Sequence, residues 1–266
     1  MDEAWLVDAA AWAAVGPYRA APGAVVADSG TVRWFRTGID FEGLNGVLWA
    51  RLAERELDGA IERALAPFRE AGVPMLWHVG PTSSPRDLPR ALEAAGLALH
   101  ESEPGMVADL AAVGPPPAAP AGLEIRRVGD KDGLATWTRL WAGTPPDANV
   151  DGLVELRAPG ALGPGRPAPH LLALLEGAPV GCAAVFVGDR RDGPAPAAWI
   201  EHVVTVPARR RMGIGAALTH ACLAQARTRG LARAVLTASP EGHGLYGRLG
   251  FRDRGTVARY RYPTGV

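Results

Sequence analysis

The residues best suited to chemistry lie where a β-branched segment runs into a basic turn that contains glycine. Val204-Thr205-Val206-Pro207 is followed by Arg209-Arg210-Arg211 and then by Met212-Gly213-Ile214-Gly215-Ala216. Glycine lets the backbone approach a ligand closely, and the first amides of the helix that follows have no acceptor within that helix. Together with the helix dipole they form an anion site, and the arginines can neutralise several phosphate charges. The turn therefore predicts a phosphate-bearing cofactor.

Two common nucleotide motifs do not fit this turn. A dinucleotide-binding fold needs a third glycine, but Leu218 occupies that position and arginines precede the glycine pair. A P-loop needs Gly-Lys-Ser/Thr, and Lys131, the only lysine, is far away in the sequence.

The turn instead resembles a motif of the GCN5-related N-acetyltransferase (GNAT) superfamily. Arg210-x-x-Gly213-x-Gly215-Ala216 matches the family's Arg/Gln-x-x-Gly-x-Gly/Ala motif, which binds the pyrophosphate of coenzyme A. A second segment, Ala238-Ser239-x-x-Gly242-x-x-x-Tyr246-x-x-Leu249-Gly250-Phe251, is similar to the family's later motif. The two motifs occur in the family's order, and the resemblance covers residues 123–262.

The resemblance implies acetyl-CoA as the co-substrate and gives each matching residue a role. The amides of Val204 and Val206 would bond the pantetheine arm or polarise the thioester carbonyl. The amides from Arg211 to Ala216, Met212 and Ile214 included, would hold the pyrophosphate, with Arg209 or Arg210 pairing with phosphate. Tyr246 would protonate the departing thiolate. Many members have Asn where Ser239 stands, so Ser239 either takes over that cofactor contact or the contact is absent.

An ammonium substrate must lose a proton before it attacks, so a base is expected near the turn. Glu201 is the first candidate because it lies on the motif strand. Alternation along that strand places Glu201 on the face of Val203 and Thr205, opposite Val204 and Val206. His202, His243 and a water-mediated route are the alternatives.

The pattern of the whole chain predicts an α/β protein with a mixed sheet, flanking helices and two tandem lobes. The proline-rich residues 114–122 cannot form a helix interior or a central strand, so they are predicted to link a lobe of residues 1–113 to a catalytic domain of residues 123–266. In the second half, we predict strands at 123–127, 170–175, 180–187, 199–206, 232–237 and 251–262, helices at 130–141, 213–229 and 241–249, and a loop at 158–169.

The first half repeats the element order of the second, which predicts a degenerate GNAT-like lobe. We predict strands at 31–36, 44–49 and 73–79, helices at 54–71 and 85–95 with Ser84 as the cap of the latter, and a final strand ending near 106–110. Where the second half has its glycine pair, the first has Glu54, Glu56 and Asp58, which repel phosphate. This lobe is therefore expected to support the sheet or wall the acceptor site, without binding coenzyme A. We predict that the strand residues Trp49, Trp77 and His78 belong to the core.

The composition of the chain limits the classes of binding partner that are expected. The formal net charge is zero, which argues against nucleic acid and anionic membranes. The chain lacks a signal-peptide pattern and an apolar run of about 18 residues, so a cytoplasmic location is expected. Cys182 and Cys222 lie in apolar surroundings without CxxC spacing, so no metal is expected.

The expected acceptor is the amine of a small molecule or peptide, and a homodimer is compatible with the sequence. The alternatives are a catalytically silent acetyl-CoA sensor and an interaction protein that retains the fold.

Overall fold

The computed structural model describes residues 3–163, 165, 168–187 and 197–262. Within these residues the strands are β1 (Val25–Asp28), β2 (Val32–Arg36), β3 (Asn45–Ala50), β4 (Met75–Val79), β5 (Ala98–Asp109), β6 (Leu123–Arg127), β7 (His170–Leu175), β8 (Ala178–Val187), β9 (Ala197–Thr205), β10 (Arg233–Thr237) and β11 (Arg252–Tyr262). The helices are α1 (Trp5–Ala14), α2 (Leu57–Ala71), α3 (Leu88–Ala94), α4 (Lys131–Ala142), α5 (Asp151–Ala161), α6 (Ile214–Thr228) and α7 (Pro240–Arg248). None of these described helices combines the length and apolar character needed to cross a membrane.

All of these strands belong to one mixed sheet, in the order β1-β2-β3-β4-β11-β5-β10-β9-β8-β7-β6. Each lobe contains one parallel pair, β3 with β4 and β9 with β10, and a helix connects the two strands of each pair. The predicted α/β class is confirmed, and each half contains the strand-helix-strand unit that the predicted repeat requires.

The two lobes exchange their last strands. β5 of the first lobe pairs antiparallel with β10 of the second, and β11 of the second pairs antiparallel with β4 of the first. β5 and β11 also pair with each other at the centre of the sheet. The link at residues 114–122 contains no helix or strand, but the ranges 1–113 and 123–266 do not form separate sheets.

Two layers of helices cover this sheet. On one face, α6 packs Ile214, Leu218 and Cys222 against Ala198 and Ile200 of β9. The other face carries α1, α4 and α5, whose buried residues include Val7, Trp137 and Val154. A functional side chain on β9 therefore faces one of two different environments, depending on its position along the strand.

The helix boundaries follow local signals where those signals are strong. The Asp130 carboxylate accepts a hydrogen bond from Gly133 N at 2.7 Å, so it caps α4 as predicted. The prediction for α3 was wrong at its start, because the helix begins at Leu88 after Asp87, not at Pro85 after a Ser84 cap.

The predicted loop at residues 158–169 is also corrected, because α5 extends to Ala161 and includes Pro159. Residues 164, 166 and 167 of that loop lie outside the described residues. Neither α1 nor β1 was predicted from the sequence.

Candidate functional site

The site begins where two parallel strands separate. β9 and β10 pair at Ala197, Ala198 and Trp199 only, although β9 continues to Thr205 and β10 to Thr237. Beyond Trp199 the two strands diverge, and their facing backbone groups line an opening through the sheet.

A β-bulge lies at the start of this opening. Ala184 pairs with Glu201 and Cys182 with Val204, so His202 and Val203 together oppose the single residue Ala183. His202 has a left-handed φ of 59°, a conformation that costs a non-glycine residue about 1–3 kcal/mol and that clusters at functional sites.

The bulge changes which side chains share a face. Simple alternation placed Glu201 with Val203, but Val203 packs on the α6 face, whereas Val204 packs on the α1 and α4 face. Glu201 lines a cavity with Ala11 of α1, and therefore lies on the same face as Val204. The predicted face of Glu201 was wrong because the extra residue shifts the alternation by one position.

The backbone of β9 corrects a second expectation. The Val206 amide donates to Val180 O at 3.0 Å, so it serves the sheet and is not directed at a cofactor. Because amides alternate along an extended strand, the Val204 amide also points toward β8, and those of Val203 and Thr205 point into the opening. The amides suited to the pantetheine arm are therefore those of Val203 and Thr205.

The turn after β9 presents its amides to the same opening. Arg211 and Gly213 have positive φ angles of 63° and 84°, which makes a concave run of backbone N–H groups. A Cβ at Gly213 would lie 2.9 Å from Ala118 O, so the linker crosses this turn at a distance that only glycine allows. The first bond of α6 runs from Ala217 N to Gly213 O, which leaves the amides of residues 214–216 without a helical acceptor.

These elements enclose a cleft of about 730 Å³ between α6, α7 and the end of β9. Most of the residues predicted to bind or act on the cofactor line it, namely Val204, Arg209, Arg210, Arg211, Gly213, Ile214, Gly215, Ser239 and Tyr246. Val206, Met212 and Ala216 are not among the lining residues, and Val203, Thr205, Glu241, Gly242, Leu245 and Arg248 are the lining residues that sequence reasoning missed.

Tyr246 is placed by the glycine one helical turn before it. A Cβ at Gly242 would lie 2.8 Å from the Tyr246 ring. The ring can therefore pack against the backbone of α7 only because residue 242 has no side chain. Burial raises the pKa of the Tyr246 phenol to about 12, with the charges of Cys222 and Glu103 adding to the effect. The phenol is therefore protonated at neutral pH, as a proton donor must be. Ser239 caps α7 by accepting from Gly242 N at 3.2 Å, and its hydroxyl proton can still be donated.

Glu201 and His202 lie on the other side of the sheet, next to a narrow cavity of about 60 Å³. The first lobe forms most of its wall, through Phe35, Glu42, Gly43, Leu44, Asn45, Leu48, Leu76 and His78. His202 Nε2 is 3.3 Å from the Glu201 carboxylate. His202 lines this cavity and Val203 lines the cleft, so the bulge lies between the two.

Burial shifts the pKa values of Glu201 and His202 in opposite directions. It raises the pKa of the Glu201 carboxyl, and the charges of Arg259 and Arg157 offset only part of this change. Burial and, to a smaller extent, the charge of Arg157 lower the pKa of His202 to about 3. His202 is therefore neutral at physiological pH, and Glu201 is a stronger base than an exposed glutamate.

The first lobe has a counterpart of the cleft between the start of α2 and α3. The charged side chains lining this counterpart are Glu54, Glu56, Asp58, Asp87, Arg55 and Arg90. The charged side chains of the 730 Å³ cleft are Arg209, Arg210, Arg211, Arg248 and Glu241. The two sites therefore have opposite charge, and only the second suits phosphates.

The remaining candidates from the sequence lie elsewhere. His243 Nε2 contacts Asp253 at 2.9 Å on the outer surface and does not line the cleft. The Trp49 indole donates to Thr82 Oγ1, and Trp77 is buried in the core of the first lobe. His78 lines the narrow cavity.

Comparison with known proteins agrees with this geometry. Residues 135–251 match the family model described as "Acetyltransferase (GNAT) family". Among curated proteins, none matches the sequence.

Solved structures with the same fold cover nearly the whole chain. A GCN5-related N-acetyltransferase from Kribbella flavida superposes with a TM-score of 0.75 at 20% identity, over 100% of this chain and 97% of that one. An acetyltransferase of the GNAT family from Novosphingobium aromaticivorans gives 0.55 at 20%, over 98% and 99%. A tandem GNAT protein from the clavulanic acid biosynthesis pathway gives 0.56 at 16%, over 98% and 94%. The family model therefore covers most of the second lobe, and these solved structures share the fold of both lobes with this chain.

Proposed function

We propose that the protein transfers the acetyl group of acetyl-CoA to the amine of a small molecule or peptide. The observation that carries this proposal is the convergence, in one cleft, of the basic turn before α6, the separated strands β9 and β10, and Tyr246. The acidic counterpart in the first lobe supports placing acetyl-CoA in the second lobe.

In the proposed reaction, the pyrophosphate lies on the amides before and within the first turn of α6, close to Arg209–Arg211. The pantetheine arm runs along the amides of Val203 and Thr205 toward the bulge. The acceptor amine approaches from the other face of the sheet, through the cavity beside Glu201.

Glu201, directly or through water, removes a proton from the ammonium, and the amine nitrogen then attacks the thioester carbonyl carbon. An amide of β9 stabilises the oxyanion that forms. The C–S bond breaks, and Tyr246 donates its proton to the departing thiolate. The nitrogen loses its second proton, which returns through water to the Tyr246 phenolate, and the neutral amide and coenzyme A remain.

Calorimetric titration with acetyl-CoA tests the cofactor assignment. A Cβ at Gly215 would meet Thr205 Oγ1 at 3.7 Å and Leu245 at 3.8 Å, so Gly215→Glu fits the fold while bringing a carboxylate into the cleft. We expect wild type to bind and Gly215→Glu to lose at least about a hundredfold in affinity, or about 2.7 kcal/mol.

Gly59→Glu is the matched control, because Gly59 lies in the first turn of α2, in the acidic counterpart of the cleft. It adds the same charge and should leave acetyl-CoA binding unchanged. Failure of folded wild type to bind acetyl-CoA would sink the proposal and favour an interaction protein. Binding without coenzyme A release on a broad amine panel would favour a sensor.

A further inference from the structure

Arg157 of α5 is a buried cation that has no hydrogen-bond or ion-pair partner among the described residues. Its relative exposure is 3%, and within the described part of the chain Nε, Nη1 and Nη2 all lack a hydrogen-bond acceptor. No carboxylate of a described residue lies within ion-pair distance of it. A guanidinium stays protonated in proteins, and an unpaired buried charge is strongly unfavourable.

Aromatic rings hold this guanidinium in place. It lies 4.1 Å from the centroid of the Trp141 ring and 5.5 Å from that of Trp137. The His202 ring packs on the same two tryptophans, at 5.2 Å and 5.5 Å. The rings fix the planar group but accept none of its in-plane N–H donors.

Arg157 lies behind the wall of the narrow cavity beside Glu201, because Trp141 contacts both its guanidinium and the ring of His202, which lines the cavity. Its charge acts on Tyr18, Glu201 and His202, all of which line that cavity. Burial lowers the pKa of Arg157, and Tyr18 and Glu201 only partly oppose this change. The wall of this narrow cavity includes the aromatic rings of Tyr18, Phe35 and Trp199, and the positive charge of Arg157 lies close behind it.

His170 adds an acceptor to this surrounding. Its Nδ1 lies 2.6 Å from Ala168 O, and since a carbonyl only accepts, Nδ1 carries the proton. Burial lowers the pKa of His170 to about 3, so the ring is neutral and Nε2 is an acceptor. Nε2 is buried and has no donor among the described residues. Its ring centroid is 4.3 Å from that of Trp137.

Two unpaired groups lie close to this cavity, Arg157 and His170, and Glu201 lies in its wall, so the site suits a molecule of two polarities. Arg157 offers N–H donors to an anion, while Glu201 and His170 Nε2 offer acceptors to an N–H or O–H group. A carboxylate matches the planar, two-pronged geometry of a guanidinium, and an ammonium matches the acceptors.

We propose that the substrate carries a carboxylate that binds Arg157, and that the acceptor is an amino acid or a related amino-carboxylate. This inference rests on the proposed acetyl transfer, which it makes more specific. The same chemistry could come from the far end of a dicarboxylic acyl group, so the experiment compares both sources.

The test pairs amines that differ in the carboxylate alone. Amino acids, dipeptides and ω-amino acids are each assayed beside their carboxamides, with acetyl-CoA, by release of the coenzyme A thiol. Wild type should prefer the carboxylate member in kcat/KM by at least about tenfold. In Arg157→Met that preference should fall to near unity, through KM of the acceptor, with the KM of acetyl-CoA unchanged.

A second arm replaces acetyl-CoA with succinyl-CoA and uses amines without a carboxylate. A preference of at least about tenfold for succinyl-CoA that disappears in Arg157→Met would assign the carboxylate to the acyl group. Equal use of carboxylates and carboxamides, together with no preference for succinyl-CoA, would overturn the inference while leaving acetyl transfer intact.

The thermal stability of Arg157→Met distinguishes a role of Arg157 in substrate binding from a structural role. An apolar side chain in place of an unpaired buried charge is often neutral or stabilising, so Arg157→Met should melt no lower than wild type. Arg63→Met, which removes an exposed guanidinium from α2, is the matched control and should keep the carboxylate preference. If no amine is acetylated, thermal shifts with the same pairs decide. Stabilisation by the carboxylate members in wild type but not in Arg157→Met supports the inference, and its absence overturns it.

Discussion

At the scale of single residues, burial at the bulge in β9 shifts the pKa values of the neighbouring Glu201 and His202 in opposite directions. Both side chains line the narrow cavity, with 18% of His202 and 35% of Glu201 exposed, and their partial burial favours the neutral form of each. For the carboxyl this raises the pKa, and for the imidazole it lowers the pKa. A base that works near neutral pH is better served by the raised carboxyl pKa.

The first prediction at this scale concerns Glu201→Gln. A base acts when deprotonated, so wild-type kcat/KM should rise with pH through the folded pKa of Glu201, above its ordinary value of 4.5. We expect Glu201→Gln to lower kcat at pH 7 by about a hundredfold and to remove this rise. Steady-state rates of thiol release across the pH range measure both effects.

Glu155→Gln serves as the control, because Glu155 is exposed on α5 and pairs with Lys131. It should keep the wild-type profile. A rise that persisted in Glu201→Gln but disappeared in His202→Asn would assign the base to His202 instead.

Sequence reasoning found the charged turn and Tyr246 but missed Arg157, for a physical reason. A glycine pair after arginines has a local signature, whereas burial of an arginine depends on what packs over its helix. One signal was present. Arg157 lies three or four residues from Leu153, Val154, Gly160 and Ala161, so it occupies the apolar face of α5 without an acidic neighbour at helical spacing.

At the scale of elements, strong local signals gave reliable boundaries and weak ones did not. Asp130 fixed the start of α4 by capping it. Helix α5 was not predicted because it contains Gly152, Pro159 and Gly160. Each of these residues has a low helix propensity, which packing in the fold overcomes. The β-bulge in β9 could not be predicted from the sequence either, because one extra residue in a β-branched strand does not disturb the apparent alternation.

The helix α7 offers a prediction that separates positioning from helix stability. Gly242→Ala places a methyl group against the Tyr246 ring, where a Cβ would be at 2.8 Å, so the ring must move. We expect kcat to fall toward the level of Tyr246→Phe, which itself should lose about a hundredfold or more. Acetyl-CoA affinity, measured by calorimetry, should change far less.

Gly247→Ala is the matched control in the same helix, since nothing lies within 4 Å of a Cβ there. Both substitutions replace glycine in a helix and gain about 1 kcal/mol of helix propensity. Only Gly242→Ala should impair turnover. Equal activity of the two variants would show that the position of Tyr246 is not set by Gly242, and full activity of Tyr246→Phe would remove its role as the acid.

At the scale of the whole molecule, the exchange of β5 and β11 joins the lobes more firmly than the linker does. Arg259 of β11 is buried and donates to Glu101 and Glu103 of β5 at 2.7 Å and 3.0 Å, and to Thr237 of β10 at 2.9 Å. The charges of this centre are thus paired between strands of different lobes. No sequence pattern showed this, because both a separate and an exchanged arrangement satisfy the same strand order along the chain.

The exchange predicts that the lobes remain one particle after the linker is cut. Residues 114–116 are exposed and outside any helix or strand, so a protease site inserted after Pro115 should be cleavable in the folded protein. The fragments should co-elute in size-exclusion chromatography, because each holds a strand inside the other's part of the sheet. They should also unfold in a single thermal transition, whose midpoint rises with protein concentration because unfolding now separates two chains. Elution of two folded halves under native conditions would contradict the exchange. In that case the isolated second half would have the cavity beside Glu201 without its first-lobe wall. An assay of acetyl transfer by that half would then measure whether the wall is needed.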